Sequence, residues 1–487
     1  MRKVINVYNT HIEIHPYHLG ENPQLEHTFS TYDAVEHHYN PIGYCVCGDT
    51  LYLPRGTNLS KLEYWFRETP HMVTKHDVYD RVSMRYEMKN KPRGKIQTDA
   101  IDFLTGRGNY GKSKRYNQLS LNLDTGDGKT FCCISAASMF GLKTIIITHK
   151  KKIRDQWNKE FLERTNINED QIFVIRGKSD MKKIMDGKVE ADIYLVNHQT
   201  LHSYARLHGD TGGWLIIKEF FKKIRVGLKI IDEAHLFFEN TLMIDFFSNT
   251  KQTFYITATF TRSDYRENRI FSQAFSSVYR FGEETFEYEE KRKHIMFVVV
   301  YFHTSPDQLQ LRRLTTKYGF SVFRYIDYEM KENPENTMMR VIRELVRKMN
   351  HLDGKILINS PKIETVKMIA EDLKEVTDKS IGMVYSKNGF EENRKGYNSD
   401  IISSTIKSTG VGDDIPGLRV LINTEPIASS GRMDQLKGRL REYAKDKDTY
   451  LFHLVDTSVE QNMVFLNRVL PMLQKKCKKI ISISFDF

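Results

Sequence analysis

The chain has 487 residues, enough for about two to four domains with sizeable cores. A hydrophobic content of 40% and a mean hydropathy of −0.50 describe a globular chain, and no run is long and apolar enough to span a bilayer, so no membrane partner is expected. Lysine plus arginine (73) outnumber aspartate plus glutamate (62), a formal charge of +11 that suits a polyanion such as nucleic acid. Five cysteines argue against a disulfide framework and for a reducing compartment. No apolar stretch follows the opening MRKV, so a secretory leader is not expected and a cytoplasmic location is.

Residues 1–90 are rich in His, Tyr and Asn and carry no helical period, which predicts a small α/β or mostly β module. VINVYNTHIEI alternates apolar and polar residues as one half-exposed strand would. YCVCGDTLYLP predicts two strands joined at Gly48-Asp49-Thr50, and a short helix is expected over Leu62–Phe66. His37, His38, Cys45 and Cys47 lie close together, but C-x-C is not a zinc-knuckle spacing and a half-buried strand accounts for YCVC. KNKPRG (89–94) has the composition of a linker.

From 95 to 285 the chain alternates strands and helices. LSLNL (119–123) reads as a strand, LDTGDGKT (123–130) as a turn, and FCCISAASMF (131–140) as a small-residue helix. That order places a phosphate at a helix N-terminus, where unpaired N–H groups favour an anion. Thr125, Gly126, Asp127 and Gly128 form the wrapping backbone, Lys129 can pair with β/γ oxygens, and the Thr130 hydroxyl can ligate Mg²⁺. KTIIITH, ADIYLVNH, LKIIDEAH and QTFYITAT are apolar strands ending in polar residues, as buried parallel strands do where ligands gather. In the third of them, Asp232 can complete a Mg²⁺ site and Glu233 can deprotonate an attacking water. The two segments together describe an ATP-hydrolysing site. Lys150, Lys151 and Lys152 follow the first of those strands and are candidates for phosphate contact.

A second α/β block runs from 290 to 470. Val341, Leu345, Val346 and Met349 share one helical face, as do Ile363, Val366, Ile369 and Leu373. KILINS, IGMVYS, DIISST, LRVLINT and TYLFHLV read as strands. The tail 471–487 ends in SISFDF, which fits either a last element packed on this block or an aromatic docking peptide for a sliding clamp or other replication protein.

The order of these segments over roughly 95–455 resembles the motif order of superfamily 2 helicases and translocases. The resemblance implies two tandem RecA-like domains that bind ATP·Mg²⁺ between them, preceded by a nucleic-acid-gripping module. It implies an adenine-reading role for Gln97 and strand contacts by His198 and Gln199 of VNHQTL and Thr405 of TIKSTGVGDDIP. It makes Thr257, Ala258 and Thr259, with His235 and Gln435, the coupling residues, and Gly412 and Asp414 a loop that reaches the nucleotide. In QLKGRLRE, Arg439 keeps the family register of a charge-stabilising finger, whereas Arg441 stands one residue early and Glu442 holds its usual place. Leu123, Asp124 and Phe260 are further departures. Within the superfamily, the spacing resembles phage UvsW-type, poxvirus transcript-release and XPB-like helicases. That implies duplex or branched DNA as the substrate, in phage or viral replication, recombination or repair, and host cytoplasm for a viral protein. An RNA helicase and an ATP-gated binding module with weak turnover are the alternatives.

Overall fold

TIIIT (144–148), IYLVN (193–197) and QTFYIT (252–257) are buried along their whole length. Such runs suit strands covered on both faces, and the fold is built from two sheets of that kind. The computed structural model describes residues 2–33, 38–73, 79, 86–123, 126–209, 212–257, 265–281, 293–317, 319–406, 408, 415–444 and 447–487. The chain divides into two compact units, Met1–Phe286 and Glu287–Phe487.

The first unit opens with β1 (Val4–Val7) and β2 (His11–His15), an antiparallel pair in which Val7 faces Ile12. VINVYNTHIEI is therefore two strands rather than the single one its alternation suggests. The Tyr8 N–H donates to the His11 carbonyl at 2.9 Å and closes the turn without a glycine. β3 (Ser30–Asp33) and β4 (His38–Pro41) form a small hairpin. β5 (Cys45–Cys47) and β6 (Thr50–Pro54) turn at Gly48, where φ is +61°, and β7 (His71–Met72) completes the sheet order β5-β6-β2-β1-β7. Cys45 and Cys47 both face the core, and burial pushes the Cys45 thiol up to about 12.

The large sheet of this unit comprises β8 (Gln118–Asn122), β9 (Thr144–Thr148), β10 (Ile172–Ile175), β11 (Ile193–Asn197), β12 (Leu228–Asp232), β13 (Gln252–Thr257) and β14 (Tyr279–Phe281). All run parallel, in the order β10-β11-β9-β12-β13-β8-β14. One face packs on the helices Gly94–Thr105, Lys129–Phe140 and Lys151–Arg164. On the other face the leading module joins the same core: Ile12, Leu51 and Leu53 cluster with Phe246, Ile270 and Phe275. Polar contacts follow the apolar ones. Thr10 donates to the Ser248 carbonyl, and Lys218 bridges to Glu13 at 2.7 Å.

The second unit carries β15 (Ile295–Phe302), a small hairpin of β16 (Thr315–Thr316) and β17 (Gly319–Phe320), then β18 (Lys355–Ser360), β19 (Ile381–Val384), β20 (Ile401–Thr405), β21 (Leu418–Asn423), β22 (Thr449–Asp456) and β23 (Lys479–Phe485). Its parallel sheet has the order β19-β20-β18-β21-β22-β15-β23. The last strand agrees with the reading of the tail as a last element packed on this block rather than a docking peptide. Residues 479–485 pair with Met296–Phe302 of β15, so the tail's backbone is committed to the sheet. The Lys348 ammonium lies 4.8 Å from the Phe485 ring centre and the Arg340 guanidinium 4.2 Å from that of Phe487, which ties both rings to helix Thr337–Met349. Among the described residues no helix is long and apolar enough to cross a membrane.

Candidate active site at the edge of the first parallel sheet

β8 leads through Leu123 into a loop that ends at Gly128, and helix Lys129–Phe140 begins at once. Gly126 and Gly128 have φ of +102° and +84°, a region that L side chains avoid. No side chain caps this helix, so its first N–H groups face the loop. The close fit extends beyond the backbone. A Cβ on Gly128 would stand 2.3 Å from Gln97 Nε2. That nitrogen donates to the Asp127 carbonyl at 2.8 Å, and Gln97 Oε1 accepts from the Arg93 N–H at 2.7 Å. The residue expected to read adenine thus also braces the phosphate loop. The Lys129 ammonium donates to the Leu123 carbonyl at 3.0 Å. Cys132, Cys133, Ala136 and Ala137 are fully buried, and their small size lets the helix lie close to its neighbours. Thr125 lies outside the described residues, as does Asp124.

Two strands away, β12 ends at Asp232 and the chain turns through Glu233. Glu233 has φ of +53°, rare and strained for a residue with a Cβ, and such strain concentrates at functional sites. Both residues are half-buried. Burial raises the Asp232 carboxyl, opposed by the Trp157 hydrogen bond and by Lys129. Burial, then Asp232, push Glu233 up to about 7, against the pull of Lys129. Lys129, Asp232 and Glu233 therefore share one electrostatic neighbourhood. One Glu233 oxygen has no hydrogen-bond partner, and it lies 3.4 Å from His235 Nδ1. That same nitrogen is hydrogen-bonded to the Thr257 hydroxyl at the end of β13, at 2.6 Å. Ala258 and Thr259 lie outside the described residues, as does Phe260.

The geometry fits a nucleotide triphosphate with Mg²⁺. Gly128 can lie against its Gln97 brace only because it lacks a Cβ, and Thr130 and Asp232 carry oxygen donors of the hard kind that Mg²⁺ prefers. Trp157 was not legible as a site residue. Its spacing with Ile153 and Phe161 marks it as core, yet its Nε1–H donates to Asp232 Oδ2 at 2.9 Å. A buried indole needs such a partner, and that is the one signal in the sequence that points to it.

The candidate strand-contacting residues lie at the same edge. Lys150 stands at the N-terminal boundary of helix Lys151–Arg164 without a side-chain capping bond, and Lys151 and Lys152 are exposed in its first turn. Gln199 is exposed at the start of helix His198–Arg206, but His198 is buried with its ring 4.7 Å from Phe237. Burial lowers both His198 and its neighbour His149 to about 4, so both are neutral imidazoles at pH 7. The Thr148 hydroxyl donates to Asn197 Oδ1 at 2.9 Å and ties the two strand ends together.

In the second unit Thr405 ends β20, is buried, and donates to the Ser408 hydroxyl at 2.7 Å. Gln435 is half-buried in helix Ser430–Lys437. Arg439 follows that helix at 9% exposure, whereas Arg441 is half-buried and Glu442 exposed. Gly412 and Asp414 lie outside the described residues.

A family model described as "Type III restriction enzyme, res subunit" matches residues 89–262, the segment that holds both the phosphate loop and the half-buried carboxylates. The transcript termination protein A18 of Yaba-like disease virus is 24% identical over 368 residues, which span 72% of this chain and 70% of that protein. The DNA 3'-5' helicase XPB of Mycobacterium tuberculosis is 27% identical over 150 residues, 31% of this chain and 25% of that one. Among solved structures, S. cerevisiae Dbp5 bound to RNA and ADP BeF3 aligns with a TM-score of 0.53 at 12% identity, covering 80% of this chain and 89% of that chain. At that identity the likeness concerns the tandem RecA-like fold alone.

Proposed function

We propose that this chain, which belongs to the superfamily 2 helicases and hydrolyses ATP, is a motor that moves on duplex or branched DNA. The observation that carries the catalytic part is the convergence of Lys129 with the half-buried pair Asp232 and Glu233 at one sheet edge. Lys129 and the loop N–H groups hold the β- and γ-phosphates, and Thr130 and Asp232 hold Mg²⁺. Bound Mg²⁺ supplies charge neutralisation on the phosphate oxygens. Glu233, held near neutrality by its burial, orients the attacking water and accepts its proton. His235 and Thr257 carry the state of Glu233 to β13 through their hydrogen bond. Arg439 stabilises charge that develops on the transferred phosphate, and Gln97 serves the adenine while it braces the loop.

The net charge of +11 supports a nucleic-acid track, and the relative XPB, a DNA 3'-5' helicase, supports DNA as that track. Lys150, Lys151, Lys152 and Gln199 are the phosphate-contacting side chains in this reading. The deciding experiment measures ATPase stimulation by forked, four-way, duplex and single-stranded DNA and by RNA. Glu233→Gln is the control that binds ATP without turning it over. Stimulation greatest with forked or duplex DNA is expected. Stimulation by RNA alone would replace DNA with RNA as the track, and no turnover with any polymer would leave an ATP-gated binding module.

A further inference from the structure

Helix Lys151–Arg164 presents Ile153, Trp157 and Phe161 at intervals of four, a stripe that packs against the sheet. Trp157 is 1% exposed, so its N–H must find a partner inside the protein. It has one hydrogen to give, and it gives it to Asp232 Oδ2 at 2.9 Å. A carboxylate rotates about its Cβ–Cγ bond, and a hydrogen bond to one oxygen fixes where the other points. The same helix starts with the exposed Lys151 and Lys152. From Lys152 to Trp157 is about 7.5 Å along a rigid helix.

We propose that Trp157 is a positioning residue for ATP hydrolysis: its indole N–H sets the orientation of Asp232 and ties that carboxylate to the helix whose first turn meets the nucleic acid. The inference rests on the reading of Asp232 as a Mg²⁺ ligand. A phosphate backbone that engages Lys151 and Lys152 then acts on metal retention through one packed element, without a relay through the loops.

The test measures the affinity of a fluorescent ADP analogue with and without Mg²⁺, and with and without duplex DNA. It compares the wild type, Trp157→Phe and Asp232→Asn. Trp157→Phe is expected to lose about tenfold or more of the affinity gained from Mg²⁺, the range that a hydrogen bond to a charged group controls, while Mg²⁺-free affinity holds. Duplex DNA is expected to change the Mg²⁺-dependent gain in the wild type and to leave it unchanged in Trp157→Phe. An undiminished gain in Trp157→Phe overturns the proposal, and so does an equal loss with and without Mg²⁺, which would mean a packing role alone. A wild-type gain that ignores DNA, or a variant that responds like the wild type, overturns the tie to the helix. If Asp232→Asn keeps the full gain, the reading of Asp232 fails instead. Should Trp157→Phe not fold, 3-benzothienylalanine at position 157 keeps the ring shape without the donor and is judged by the same comparisons.

Discussion

Arg439 and Arg441 lie two residues apart but in different surroundings. Arg439 is 9% exposed just past a helix end and Arg441 is half-buried beside the exposed Glu442. If Arg439 is the charge-stabilising group, Arg439→Ala should lower kcat by about 10³-fold or more with ATP affinity largely kept. Arg441→Ala should cost much less, and steady-state ATPase with a nucleotide-binding titration separates the two. Glu329 poses a different problem. It is fully buried against Asp456, Tyr325 and Tyr328. Burial, reinforced by Asp456, holds its carboxyl well above the usual carboxylate range. The folded state therefore keeps a proton that the unfolded chain releases. Its contribution is fully favourable below the ordinary glutamate range and declines as pH rises above it. Glu329→Gln, which carries the neutral form permanently, should raise the melting temperature at pH 8 and leave it nearly unchanged at pH 4. A thermal-melt series across that interval checks the sign.

Most elements were legible because their burial is simple. TIIIT, IYLVN and QTFYIT announce strands covered on both faces, and the stripe Val341, Leu345, Val346 announces a core helix. What escaped depends on partners far away in sequence. The turn within VINVYNTHIEI has no glycine to mark it, and the tail reads as a strand only once β15 is there to pair with it. The phosphate loop was visible by spacing, but its brace by Gln97 and the Trp157 bond to Asp232 were not. Lys229 is the clearest exception to apolar strands. It sits fully buried in β12, three residues before Asp232, with its ammonium 2.5 Å from both Asp245 Oδ1 and Ser248 Oγ. Tyr255 of β13 donates to the other Asp245 oxygen at 2.7 Å. Removing one member of such a pair strands the other charge in the interior. Lys229→Met should cost about 3–5 kcal/mol, and Lys229→Met with Asp245→Leu should recover much of it. Chemical denaturation of the two variants gives the comparison.

At the scale of the molecule, the leading module is fastened to the motor rather than appended to it. Leu51 and Leu53 share a core with Phe246 and Ile270, and the chain's first compact unit runs to Phe286. Gly43 and Gly56 lie so close to this joint that a Cβ on either would meet atoms of Ile270 or the Gln273 carbonyl within 2.7 Å. Removing residues 1–90 would leave that apolar face in water. The expected outcome is a marked fall in melting temperature or outright aggregation, seen by light scattering, before any change in DNA preference can be measured. A well-folded truncation with unchanged stability would show that the shared core contributes little.

The position of β8 has a consequence for how the protein is made. The strand that launches the phosphate loop pairs with β13 and β14, which are synthesised last in the sheet. Gln118 holds the Tyr255 hydroxyl across 137 positions of sequence. A ribosome that has translated the whole glycine loop has therefore not yet made a nucleotide site. The loop's strand has no neighbour until the chain has emerged through Thr257, and its second edge stays open to wrong partners until Phe281 has followed.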